Sequence, residues 1–89
     1  MNIREILGNK EFTSALFKLA QQNNDVVIKP SMTESGESVL VTISYKRLSE
    51  NKKSELLDGL ISIVLRNFDN VEFNKTEVTK SNLQLEFSV

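Results

Sequence analysis

Cysteine, histidine and tryptophan are all missing from this chain of 89 residues. The first absence excludes disulfides and thiolate nucleophiles, and the first two together exclude zinc sites of the usual Cys/His kind. Histidine is also the side chain best suited to move a proton near neutral pH, so any general base would have to be Asp, Glu or Lys. Glycine occurs three times and proline once, and a lone glycine such as Gly36 cannot form a glycine-rich phosphate cradle. No apolar run approaches the roughly 20 residues needed to cross a bilayer. The opening residues carry charge at Arg4 and Glu5 and lack the apolar stretch of a secretory leader, so the expected location is cytoplasmic. A net charge of −1 speaks against nonspecific nucleic-acid binding, which is driven by clustered Lys and Arg displacing counterions.

What is present is ordinary for a folded protein, with 39% hydrophobic and 26% charged residues. Residues 1–89 leave room for a single domain with one core. Asn, Lys, Ser and Ile are common while Ala is scarce, the bias of AT-rich coding that a low-GC bacterium or one of its phages would show.

The apolar pattern runs through one helix-hairpin plan twice. Phe12, Ala15, Leu16 and Leu19 align with Leu57, Leu60, Ile61 and Val64 at an offset of 45, and Val26 and Ile28 align in the same way with Val71 and Phe73. Past the first hairpin the offset becomes 44, matching Val39, Val41, Ile43 and Tyr45 to Leu83, Leu85, Phe87 and Val89. The two pseudo-repeats cover about 2–46 and 47–89. Identities between them are few, so pseudo-symmetric packing without common descent accounts for the match better than duplication does.

Local signals place the elements. Asn2 followed by Glu5 reads as a capping box, Gly8 as a stop, and Asn9 as the cap of a new helix reaching about Gln22. Phe12, Ala15, Leu16, Leu19 and Ala20 fall on one stripe of that helix. Val26 to Lys29 reads as a short strand closed by Pro30, which suits a strand end or an edge. A polar loop follows from Ser31 to Ser38, and strict alternation from Val39 to Lys46 marks a second strand. Ser49 caps a helix running from Glu50 to Phe68 whose apolar residues cover well over half its circumference, the mark of a central element. Gly59 and Ser62 on its remaining side point to close packing against a neighbour. Val71 and Phe73 begin a third strand, Lys75 to Lys80 reads as loop, and Leu83, Leu85, Phe87 and Val89 alternate to the end.

These elements predict an α+β fold. It is a two-layer αββαββ arrangement, with a four-stranded, mainly antiparallel sheet carrying two helices on one face. The shared core is expected at Leu60, Val64, Val41, Ile43, Leu85 and Phe87. The opposite sheet face would carry Val27, Leu40, Thr42, Ser44, Glu72, Gln84 and Glu86.

No constellation for catalysis, no metal site and no cofactor site emerges. Acids are scattered, and Glu34 and Glu37 in the polar loop lack the ligand spacing of a calcium site. The expected function is therefore that of a small non-enzymatic protein-binding module or regulator, of the adaptor or inhibitor type, acting through a helix face or a sheet edge. Candidate interface residues are Ile3, Leu7, Phe17, Val27 and Leu40. Ile3, Leu7 and Phe17 lie off the core stripe, so either they form a homodimer interface or a break at Gly8 folds the N-terminal turn onto the core and leaves Phe17 alone outside. The alternative function is a nucleic-acid-binding regulator using Lys46, Arg47, Lys52 and Lys53, gathered where the second strand hands over to the second long helix.

Overall fold

A computed structural model describes residues 2–89. Three helices and four strands follow one another as α1 (Ile3–Leu7), α2 (Lys10–Gln21), β1 (Val27–Met32), β2 (Val39–Ser44), α3 (Glu50–Asn67), β3 (Glu72–Val78) and β4 (Asn82–Ser88). The helix starts are where the capping residues put them. Asn2 Oδ1 accepts from the Glu5 amide at 2.9 Å, Asn9 Oδ1 from that of Phe12 at 2.9 Å, and Ser49 Oγ from that of Lys52 at 3.1 Å. Gly8 separates α1 from α2, so the first helical region is two helices rather than one. No helix is long and apolar enough to cross a membrane.

All four strands form one antiparallel sheet in the order β1-β2-β4-β3. The helices lie on one face, where Val39, Val41 and Ile43 of β2 and Leu83, Leu85 and Phe87 of β4 meet Ile6, Phe12, Leu16, Leu56, Leu60 and Val64 in a single core. Every residue expected in the shared core is fully buried. Three aromatic rings knit the layers, with Phe12 edge-on to both Phe68 and Phe87 at 5.2 and 6.0 Å between centroids.

Two strands depart from the sequence reading. The first runs through Pro30 to Met32 instead of ending at Lys29, because β1 is an edge and a residue without an N–H can sit there with its nitrogen on the unpaired side. The third runs to Val78, across residues expected to be loop. A bulge between Phe73 and Lys75 shifts the side-chain phase, so the alternation that begins at Val71 and Phe73 resumes at Thr76 and Val78. A period-two pattern is lost at that step even though the strand continues.

The register of the two central strands is compatible with the 44-residue offset. Val41 pairs directly with Leu85, flanked by Val39 with Phe87 and Ile43 with Leu83. A two-fold through the Val41–Leu85 pair exchanges the residues that the 44-residue offset matches. Asp25 and Asn70, 45 residues apart, both take the left-handed conformation just before an edge strand, at φ of 64° and 56°. Asp and Asn tolerate that conformation better than most residues. The correspondence fails past the bulge in β3, where the register shifts by one, and at α1, which packs against β1 and has no counterpart over β3.

Candidate binding edge formed by β3 and α3

Every residue of β3 is exposed, although the strand pairs with β4 on one side at every position but the bulged Asn74. Its register explains why. Phe73, Thr76 and Val78 stand opposite Phe87, Leu85 and Leu83, so they point to the helix side of the sheet. Their β4 partners are fully buried, whereas Phe73 and Val78 are 38% and 44% exposed. On the other edge, α1 and α2 lie against β1 and half-bury Ile28 and Pro30.

The helix beside β3 is α3, and its far flank is apolar. One flank of α3 meets α2 closely, since a Cβ on Gly59 would lie 3.4 Å from Leu19 Cδ1. That distance is ordinary van der Waals contact with a side-chain end, so Gly59 faces α2 without a backbone pressed against it. Leu57, Ile61 and Leu65 sit about 120–160° around the helix from Gly59, at 3.6 residues per turn. With α1 and α2 standing toward β1, that far flank overlooks β3. Leu57 and Ile61 correspond by offset to Phe12 and Leu16, which are buried in α2; in α3 they are only half-buried, and Leu65 is exposed. Leu57, Ile61 and Leu65 on that flank and Phe73, Thr76 and Val78 on the helix side of β3 are thus the incompletely covered residues of this half of the molecule, next to a strand edge that no other strand pairs.

On the opposite face of β3 the side chains are charged. Glu72, Lys75 and Glu77 lie there, with Lys75 Nζ 3.2 Å from Glu77 Oε2. The bulged Asn74 is tied by its side-chain amide to Ser38 and Ser88 Oγ, each at 3.4 Å.

The interface candidates read from the sequence do not form one patch. Ile3 and Leu7 pack onto the core, together with buried Ile6, as the break at Gly8 allows. Phe17 stands alone on the outside of α2, 64% exposed. Val27 and Leu40 share the helix-free face of the sheet, but at opposite ends of the first hairpin, opposite Ser44 and Ser31. The N-terminal turn lies as a lid on β1, and of these three residues Phe17 is the exposed one. The β3 strip was missed because Lys75 to Lys80 reads as loop once the bulge breaks the alternation. The signal that could have found it was the wide apolar arc of α3, more than one sheet contact can absorb.

The basic corner is only partly assembled. Lys46, Arg47 and Lys53 line a recess of about 550 Å³ with Ser49 and, unforeseen, Lys80 from the β3–β4 turn. Lys53 is already engaged, 3.2 Å from Glu50 Oε1 and over the Tyr45 ring at 5.8 Å, and Lys52 lies 3.6 Å from Glu55 on another side of α3. Tyr45 anchors this corner from beneath. Its hydroxyl donates toward the carbonyls of Thr79 and Asn82, at 2.8 and 3.0 Å, and its amide donates to Ser81 O at 3.0 Å. Burial pushes the Tyr45 hydroxyl pKa above its ordinary value; nearby Lys53 opposes the rise and Glu50 adds to it. A larger groove of about 640 Å³ between α2 and α3 is lined by Ala15, Leu19, Gly59 and Ile63, by exposed Ser14 and Ser62, and by charges of both signs. Among the described residues no three or more Asp or Glu side chains come together as a metal-ion site.

No protein-family model matches the sequence, and comparison with curated proteins and with solved structures yields no match either.

Proposed function

We propose that this chain is a small non-enzymatic protein-binding module whose working surface is the β3 edge together with the apolar strip beneath α3. The observation that carries this reading is the contrast within one sheet: Phe73 and Val78 lie on the core side of β3 and remain 38% and 44% exposed, while their β4 partners Phe87 and Leu83 are fully buried. An unpaired edge offers main-chain donors and acceptors, and the adjoining apolar strip offers side-chain contacts, the combination used when a partner strand adds to a sheet. The compartment proposed is the cytoplasm, on sequence grounds alone. Affinity capture with the wild-type chain, with Phe73→Asp and with Phe17→Glu as baits tests the assignment. The expected outcome is loss of the partner with Phe73→Asp and retention with Phe17→Glu; equal capture by all three baits would remove β3 from consideration.

A second reading, a nucleic-acid-binding regulator, is favoured by the arrival of Lys80 beside Lys46 and Arg47. Phosphate-driven binding weakens steeply with added salt, so a salt titration against DNA and RNA separates it from the first.

A further inference from the structure

Resting on the β3-edge reading, we infer that the partner at this edge is a second copy of the same chain, joined β3 to β3 in an antiparallel two-fold pair centred on Thr76. A two-fold interface must be self-complementary, and cross-strand neighbours must share a face of the sheet. Between the bulge and the end of β3, the residues available are Lys75, Thr76, Glu77 and Val78. Centring the pair on Lys75 sets Lys75 against its own copy, and centring it on Glu77 does the same with two carboxylates. Like charges directly opposite destabilise a strand pair. Centring it on Thr76 places Lys75 of each copy opposite Glu77 of the other, on the helix-free face, with Thr76 opposite Thr76 on the apolar face. Lys75 and Glu77 already lie 3.2 Å apart along one strand and are about half exposed, so the pairing would close a ring of four alternating charges.

The same two-fold runs perpendicular to the sheet, so both sets of helices fall on one side. Phe73, Val78 and the Leu57–Ile61–Leu65 flank of one copy then face those of the other across the joined strands, and each fills the space above β3 that the other leaves open. The β1 edge cannot serve in this way. Pro30 lies within it and donates no hydrogen bond, and its only charge is Lys29, with no acid to oppose it. Two copies of β3 would make one continuous sheet of eight strands.

Sedimentation velocity over a concentration series tests the pairing. The wild type is expected to be dimeric at about 100 μM, as micromolar-range dissociation constants require. Lys75→Glu and Glu77→Lys should each raise the dimer Kd about tenfold or more, since each sets like charges opposite one another twice in the interface. An equimolar mixture of the two variants should associate again, because the charge introduced at position 75 of one then faces the charge introduced at position 77 of the other. Both positions are exposed, and matching circular dichroism spectra establish that the fold is kept. A wild type monomeric at about 100 μM, a dimer indifferent to both reversals, or a dimer dissociated by Phe17→Glu instead would each overturn the pairing. A monomeric wild type leaves the β3-edge reading itself standing; that reading falls only with unchanged partner capture by Phe73→Asp.

Discussion

The two edge strands of this sheet are close in length, six residues in β1 and seven in β3, and each is paired to a buried central strand. They differ in what lies above them. Over β1 stands α1, a five-residue helix that exists because Asn2 caps it and Gly8 ends it, and that brings Ile6 into the core. Over β3 there is nothing of the kind, since the chain passes from β2 into α3 through Lys46 to Ser49 without forming a helix. With α1 and α2 against it, β1 keeps Ile28 and Pro30 half-buried, although Met32 at its far end is 49% exposed; no residue of β3 is covered to that degree. In the protected edge a proline withdraws a donor; in the open edge the charges alternate.

The sharpest way to break this comparison uses two phenylalanines that sit opposite one another. Phe87 is fully buried in β4, and Phe73, its direct partner in β3, is 38% exposed. Phe87→Ala should cost about 3–5 kcal/mol in a denaturant titration, as buried aromatic truncations do. Phe73→Ala, measured at concentrations low enough to keep the chain monomeric, should cost about 1 kcal/mol, a typical point-mutant effect. Equal costs would mean that β3 is covered after all.

Removing the lid should make the two edges alike. Ile6→Ala, at a position with no exposure, is expected to cost about 2–5 kcal/mol. It should also raise amide hydrogen exchange in β1 to the level of β3, while exchange in β2 and β4 rises only in step with global stability. Unchanged protection of β1 would show that α2 alone covers that edge.

The turn that ends β3 is sharpened by Tyr45. Tyr45→Phe should cost about 1 kcal/mol, the usual net worth of a hydrogen bond. Because the folded state raises the Tyr45 pKa, the folded chain holds this proton at a pH where the unfolded chain has lost it. The tyrosine's contribution is therefore complete below about pH 10, the ordinary tyrosine value, and is lost as pH climbs through the interval up to the raised folded value. Thermal melts of wild type and variant should converge in that alkaline range.

The smallest effect belongs to the β1–β2 turn. Thr33 to Ser38 closes on itself through Thr33 N to Ser38 O at 3.1 Å and Gly36 N to Thr33 O at 2.9 Å, with Gly36 at φ 74°. Replacing it by a short Asn-Gly turn should shift stability by no more than about 0.5 kcal/mol, since the β1–β2 register is held by buried Val39, Val41 and Ile43. A larger loss would assign the hydrogen bonds within Thr33–Ser38 a part in holding the hairpin.

Sequence alone determined the helix starts, the two central strands and most of the core. The strict alternation of Val39, Val41 and Ile43, and of Leu83, Leu85 and Phe87, can be satisfied only by strands with one buried face, and Asn2, Asn9 and Ser49 can cap only the helices that begin there. These are local signals, and local chemistry enforces them wherever the segment lies. What the tertiary structure decided was which of those apolar faces would find a partner. Leu57, Ile61 and Phe73 carry the same hydrophobic character as Phe12, Leu16 and Ile28, and nothing in their own neighbourhood says they remain partly open. Their exposure follows from strand order, which puts β3 at an edge, from a bulge at Asn74 that hides the strand's periodicity, and from an α1 that can reach only one of the two edges. Burial is a property of the assembled layers, so a pattern read along the chain can name the residues that seek cover but not the ones left without it.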